Sequence, residues 1–262
     1  MRAMSIAATG MSAQELNVQV ISNNIANMNT TGFKRQRAEF QDLLYTSMDQ
    51  VGAQTSAQGT IAPTGVQIGT GVKAGSVYRI TEQGALTQTS NTYDLAIMGR
   101  GYFKVNLPSG EDAFTRAGNF SINAEGQIVT EDGYTVSPGI TVPAEATAVK
   151  IDATGQVQAV IPGATEAQIV GQLELATFVN PTGLEAQGDN LFKETAASGA
   201  ATIGTPGSTG FGQLQQGFVE ASNVNAVTEI SSLIIAQRAY EMNSKVISAA
   251  DDMMSTTAQI AR

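Results

Sequence analysis

Three pairs of adjacent acids, Glu111 with Asp112, Glu131 with Asp132 and Asp251 with Asp252, are the side chains of this 262-residue sequence best suited by type to do chemistry. Two carboxylates flanking a bond can hydrolyse a glycoside, one as acid and one as nucleophile or base. The first two pairs, however, sit in turn-forming sequence (ProSerGly before one, Gly133 after the other), where Asp and Gly serve the backbone. Neighbours on a helix, as Asp251 and Asp252 would be, diverge by about 100°. Other chemistries lack their groups. With no histidine and no cysteine the chain has no imidazole base, no thiolate and no Ser-His or Cys-His nucleophile. Gly99-Arg-Gly101 lacks the Gly-Lys-Ser/Thr of a phosphate loop and the third glycine of a dinucleotide loop, and reads as a tight turn ahead of a strand. No catalytic residue, cofactor or metal ligand is expected.

The charge balance narrows the partners. A net charge of −9 with 14% charged residues argues against nucleic acid or an anionic membrane surface, both of which reward a basic patch. The basic cluster Lys34, Arg35 and Arg37 is flanked by Glu39 and Asp42 and is expected to be a solvated turn. No run of about 18 apolar residues that could span a bilayer occurs. The first 30 residues show no uninterrupted apolar core and no small-residue cleavage site, so no cleavable export signal is expected.

Two helices dominate the pattern. From Ser222 to Ala261 there is neither glycine nor proline, and Ile235, Ala239, Met242, Val246, Ala249, Met253, Thr256 and Ile260 follow steps of three and four. A second line through Val227, Ile230, Leu233, Tyr240, Ile247 and Met254 lies elsewhere on the cylinder, with Ile234 beside it. Met4, Ala7, Met11, Gln14, Val18, Ile21, Ile25 and Met28 repeat the heptad at the other end of the chain, until AsnThrThrGly at 29–32 breaks it. One partner cannot cover two lines. Burying about eight side chains at about 1.5–3 kcal/mol each does not outweigh ordering a helix this long. Gly10, Ser12, Asn17, Ser22, Asn23 and Asn24 are weak helix formers inside the first helix. Both ends are therefore expected to pair with each other, to offer their remaining apolar faces to further copies, and to be largely disordered until they do. The side chains expected at those contacts are Met4, Met11, Val18, Ile21, Ile25, Met28, Val227, Ile230, Ile234, Ile235, Met242, Val246, Met253 and Ile260.

Between the helices the sequence divides into a linking segment with a long polar arm or hairpin (33–93), an antiparallel β domain (94–194) and a Gly/Ser/Thr-rich return linker (195–221). These stand between a first helical segment at 1–32 and a last one at 222–262. The arm, about 50–76, is almost uncharged and rich in Gly, Thr, Gln and Ala. Phe33, Phe40, Leu43, Leu44 and Met48 ahead of it fit either a short helix or a bent extended segment. In the β domain, turn signals at 108–110, 117–119, 123–126, 131–133, 153–155 and 180–183 separate short apolar runs. The fold class is α+β: terminal heptad helices paired as an inner helical layer, an inserted antiparallel β domain and an extended arm. Asn225 stands where an N-cap belongs, and Glu229 suits the first turn of the last helix.

Several stretches carry more specific information: ISNNIANMNTTGFKRQRAEFQDLLY (21–45), IMGRGYFKV (97–105), AFTRAGNFSINAEGQIVTEDGY (113–134), and GFVEASNVN and QRAYEMNSK near the end. Over its whole length the chain resembles the bacterial flagellar axial proteins of the rod and hook. The residues carrying the resemblance are Asn23, Asn24, Asn27, Gly32, Phe33, Gly99, Gly101, Arg116, Gly118, Asn223, Asn225, Arg238 and Tyr240. Within that family it is most similar to a subunit of the distal rod. It is too short for a hook subunit with a further outer domain, and QIGTGV (67–72) after the polar arm looks like a distal-rod insertion. The resemblance implies a structural subunit, not an enzyme, that self-assembles into a helical tube, transmits torque and conducts export cargo. The implied partners are further copies of itself, proximal rod subunits, hook subunits and the ring proteins of the cell wall and outer membrane, with no nucleic acid and no membrane insertion. The implied location is the flagellar basal body, from periplasm to outer membrane, reached by type III export. Gln237, Ser244 and Ser248 would line the cargo path, and the arm would lock neighbouring subunits against sliding. The alternatives are a proximal rod or hook-type axial subunit, or a secreted β-rich adhesin.

Overall fold

The computed structural model describes residues 2–49, 64–162 and 167–260. The architecture is α+β: a helix near each end of the chain, α1 (Arg2–Ala26) and α2 (Ala226–Ile260), with antiparallel β structure inserted between them. The chain forms two compact units, one of Met1–Ile25, Gln36–Tyr78 and Ala226–Arg262, the other of Ala26–Arg35 and Arg79–Asn225.

The helical unit joins α1 and α2 to a two-stranded ribbon. The 36–48 segment is extended: strand Gln36–Asp42 pairs with Val72–Arg79, and Tyr45–Asp49 pairs antiparallel with Val66–Gly69. Leu43 N donates to Gly71 O and Thr70 N to Leu44 O, carrying the ribbon across the gap between the ladders. Thr9 Oγ1 accepts from Val72 N, which ties the ribbon to α1. The outer part of the polar arm lies outside the described residues, and its described flanks form the hairpin-like ladder.

The β unit is built from strand alternation. In Tyr102–Asn106, Phe103 and Val105 are buried on one face, and Val149, Ile151, Val157 and Ala159 repeat the pattern in the meander Ala148–Ile151, Gln156–Val160 and Gln168–Gln172. The main sheet places Tyr102–Asn106 between Asp112–Thr115 and Thr135–Val136. Its core gathers Leu95, Ile97, Phe103, Phe120, Ile128, Val157, Leu173 and Leu175, with Phe103 and Phe120 edge to face at 5.0 Å. A smaller cluster on the other face packs Phe114, Ala176, Phe178 and Leu184.

Two boundaries read from composition move. The stretch 195–221, expected as a linker, carries strands Thr202–Gly204, Gln213–Gln216 and Phe218–Glu220, and the β unit reaches back to residue 79. Low apolar content hid these strands: Gln213–Gln216 buries Leu214 alone, yet pairs along its length with Leu95–Met98.

Candidate assembly site

The charged centre of the β unit grows from one carboxylate. Glu220 ends strand Phe218–Glu220 and is 2% exposed; Oε1 accepts from Lys34 Nζ at 2.5 Å and from Gly84 N at 2.9 Å, and Oε2 accepts from Arg116 Nε at 2.5 Å. Arg116 directs three of its four other N–H donors to carbonyls: Nη1 to Gly101 O, Nη2 to Ile97 O and Gly99 O. Lys34 also donates to Glu82 O, and Gly32 N donates to Glu220 O. This node fastens segments near residues 32–34, 82–84, 97–101 and 116 to residue 220. Burial pushes the Glu220 carboxyl up, but the Arg116 charge, with the hydrogen bond and charge of Lys34, outweighs it and holds the group below its ordinary value. Burial has the upper hand at Lys34, whose ammonium sits below its ordinary value despite Glu220.

Lys34 is therefore a correction to the sequence reading. It is not part of a solvated turn but 5% exposed, because its counter-ion arrives from 186 positions away instead of from Glu39 or Asp42. The GlyArgGly turn finds its purpose at the same node. Gly99 and Gly101 have φ of +105° and +143° and turn their carbonyls to Arg116, an acceptor array suited to a guanidinium and not to a phosphate. Gly32 (φ +70°) leaves no room for a Cβ beside the backbone of Arg116 and Ala117, and a Cβ on Gly118 would overlap Leu95 O. Asn223 closes the same region: Oδ1 accepts from Arg35 N at 2.7 Å, and Nδ2 donates to Ile80 O and Glu82 O. A cleft of about 330 Å³ opens beside the node, between Lys34, Arg116, Tyr102 and Phe178.

The acids weighed for catalysis are held elsewhere. Glu111 pairs with Lys193 at 2.6 Å and Asp112 with Lys104 at 2.8 Å, while Glu131, Asp132, Asp251 and Asp252 are exposed. No group of acids that could hold a metal occurs among the described residues.

In the helical unit, α1 and α2 run antiparallel. Asn24 Nδ2 donates to Glu229 Oε2 at 3.1 Å, and a Cβ on Gly10 would meet Asn243 Nδ2 at 2.9 Å, so equal steps along the two helices are taken in opposite directions. Asn24 also bridges Gln36, accepting from its N–H and donating to its carbonyl, each at 2.8 Å. The side chains that α2 buries are Glu229, Ala236 and Ala250, on the heptad line that also holds Asn243.

That line is small and polar, and it is not the line expected from the apolar pattern. Of the large side chains named from the sequence, Ile21 is buried and Met4, Met11, Val18 and Ile25 are half-buried. Met28, Val227, Ile230, Ile234, Ile235, Met242, Val246, Met253 and Ile260 are exposed, reaching 69% at Ile235 and 81% at Ile260. Small residues allow close approach of the two backbones and leave most of the large side chains of both apolar lines of α2 exposed, with Leu233 and Ile247 half-buried beside the seam. Arg238 and Tyr240 are exposed on the same helix; Asn23 and Asn225 are exposed, while Asn27 and Phe33 are half-buried. Asn225 immediately precedes α2, in the N-cap position.

Comparison with known proteins adds to these observations. Residues 4–34 match the flagella basal body rod protein family, residues 96–159 the flagellar hook protein FlgE/F/G D1 domain, and residues 215–260 the flagellar basal body rod FlgEFG protein C-terminal family. The flagellar basal-body rod protein FlgG of Caulobacter vibrioides is 65% identical, over 99% of both chains. That of Agrobacterium fabrum is 51% identical over 97% of both, and that of Bacillus subtilis 36% identical over the full length of both. The flagellar basal-body rod protein FlgF of Caulobacter vibrioides is 36% identical over 94% of this chain and 89% of its own.

Proposed function

This chain belongs to the flagellar rod and hook protein family, and from that premise we propose that it is the structural subunit of the distal rod, polymerising through its helical unit into a tube. The observation that carries the reading is the apolar surface of α2. Val227, Ile235, Met242, Met253 and Ile260 are each more than half exposed, a cost in water that contact with further copies removes. The contact is heterologous, one surface of a copy against a different surface of the next, so it repeats without closing. The FlgG-named relatives of Caulobacter vibrioides and Agrobacterium fabrum, at 65% and 51% identity, stand above the FlgF-named one of Caulobacter vibrioides at 36%, which favours the distal over the proximal rod.

The subunit transmits torque and surrounds the path of exported cargo, and its work involves no catalysis. Its neighbours along the axis are proximal rod and hook subunits, and around it the rings of the cell wall and outer membrane. It acts in the basal body between periplasm and outer membrane. Sedimentation and electron microscopy of purified chain at rising concentration test the polymer. Hollow filaments that Ile235→Asp abolishes are expected; a chain that remains monomeric throughout contradicts the proposal.

A further inference from the structure

The cleft beside the Glu220 node gathers cations and leaves some of their donors unspent. Lys34, Arg100 and Arg116 line it and, among the described residues, no carboxylate does, in a chain whose net charge is −9. Lys34 Nζ gives two of its N–H groups to Glu220 Oε1 and Glu82 O, and Arg116 gives all but one of its own to Glu220 Oε2 and the carbonyls of Ile97, Gly99 and Gly101. One N–H remains on each, on side chains only 5% and 6% exposed. The Tyr102 hydroxyl, in the same wall, makes no hydrogen bond to the protein among the described residues. Burial holds that phenol above its ordinary value of 10.0, so at neutral pH it is a donor. The rest of the wall is apolar: Pro181 and Phe178, the latter meeting the Tyr102 ring edge to face at 5.8 Å.

We propose that this cleft binds a small, free organic carboxylate whose flat apolar body lies against Tyr102, Phe178 and Pro181. Its volume of about 330 Å³ falls at the lower end of small-molecule sites, which suits a single ring and its carboxyl group. Two buried N–H donors and a phenol match the two oxygens of a carboxylate. A phosphate dianion brings more charge and more oxygens than those donors satisfy, and burying it there would be costly. Arg100, exposed in the lining, adds an uncommitted cation that attracts the anion. Burial disfavours the Lys34 ammonium, and a second anion beside it favours the charged form again.

Benzoate is the probe, benzamide its neutral isostere and sulfate the plain anion. The backbone amide spectrum of the dilute full-length chain is followed as each is added. The expected result is saturable shifts with benzoate at Gly99, Arg100, Gly101, Tyr102 and Thr177, and none with benzamide. Arg100→Gln, which changes an exposed side chain, and Tyr102→Phe, which keeps the ring, should each weaken benzoate binding about fivefold, the scale of one net hydrogen bond. Equal shifts from benzamide overturn the proposal, as do equal shifts from sulfate, which would mean an adventitious ion only. So does an absence of saturable shifts, or full affinity in both variants. Shifts at the same amides when the chain alone is concentrated would assign the cleft to an acidic side chain of a second copy, and would overturn the free-ligand reading too.

Discussion

Lys34 Nζ and Glu220 Oε1 meet at 2.5 Å across 186 positions of sequence, with Arg116 on the other oxygen of the same carboxylate. One anion thus holds two cations in the interior of the β unit, and the first and last segments of that unit are joined at its most charged point. A buried node of this kind adds little over a well-packed apolar one when complete, and costs a great deal when broken.

Removing the anion should be severe. Glu220→Gln leaves Lys34 and Arg116 buried without a counter-charge, and the β unit should lose about 3–5 kcal/mol, the usual cost of breaking a buried pair. Urea unfolding followed by tyrosine fluorescence measures the loss. A change within the scatter of surface substitutions would mean that the node relaxes into solvent.

Acid should act through the same carboxylate. Because the folded state holds Glu220 below its ordinary value of 4.5, its contribution is present above that value and is lost as pH falls through the lower, folded one. Unfolding free energy of the native chain should decline in that window, with a shallower slope in Glu220→Gln. Lys34 acts at the other end: its lowered value means that stability from this group rises as pH climbs through the folded value towards 10.5. Equal acid slopes in the two chains would remove Glu220 from the account.

At the helix ends, Asn24 serves both the Gln36 backbone and Glu229. Asn24→Ala strands those partners and should cost about 1–3 kcal/mol. Asn24→Asp keeps the acceptor but sets a second carboxylate against Glu229, so it should be the worse of the two. Thermal melts of assembled material rank them, and an Asp variant more stable than the Ala variant would contradict the pairing.

The two sides of α2 should respond oppositely to size. Ala236→Leu enlarges a buried position on the pairing line and should destabilise the helical unit by about 1–3 kcal/mol. Ile235→Ala, one residue away and exposed, should leave the β unit's unfolding unchanged and raise the concentration needed for assembly. Urea unfolding and pelleting assays, run together, separate these effects.

Much of this was legible in the sequence. The two helices announced themselves by heptad spacing and, in α2, by the absence of Gly and Pro, while the short runs between turn signals marked the strands. What the spacing did not reveal was which line of α2 meets α1. Hydrophobic periodicity marks every face that prefers to leave water, including faces awaiting another molecule, whereas the intramolecular seam uses Ala236, Ala250 and polar Asn243 and Glu229. Lys34 was misread for a related reason: the acids nearest it in sequence, Glu39 and Asp42, are not its partners, and the one that is lies almost at the start of α2. The strands of 195–221 escaped because backbone pairing, not apolar content, holds them.

The central claim is that α1 and α2 are stable helices only in company. Amide hydrogen exchange on the full chain, dilute and then assembled, tests it most directly. The account predicts rapid exchange along both helices in the dilute chain, slow exchange in the β unit under both conditions, and strong protection of α1 and α2 on assembly. Helices protected equally well in an isolated monomer would contradict it.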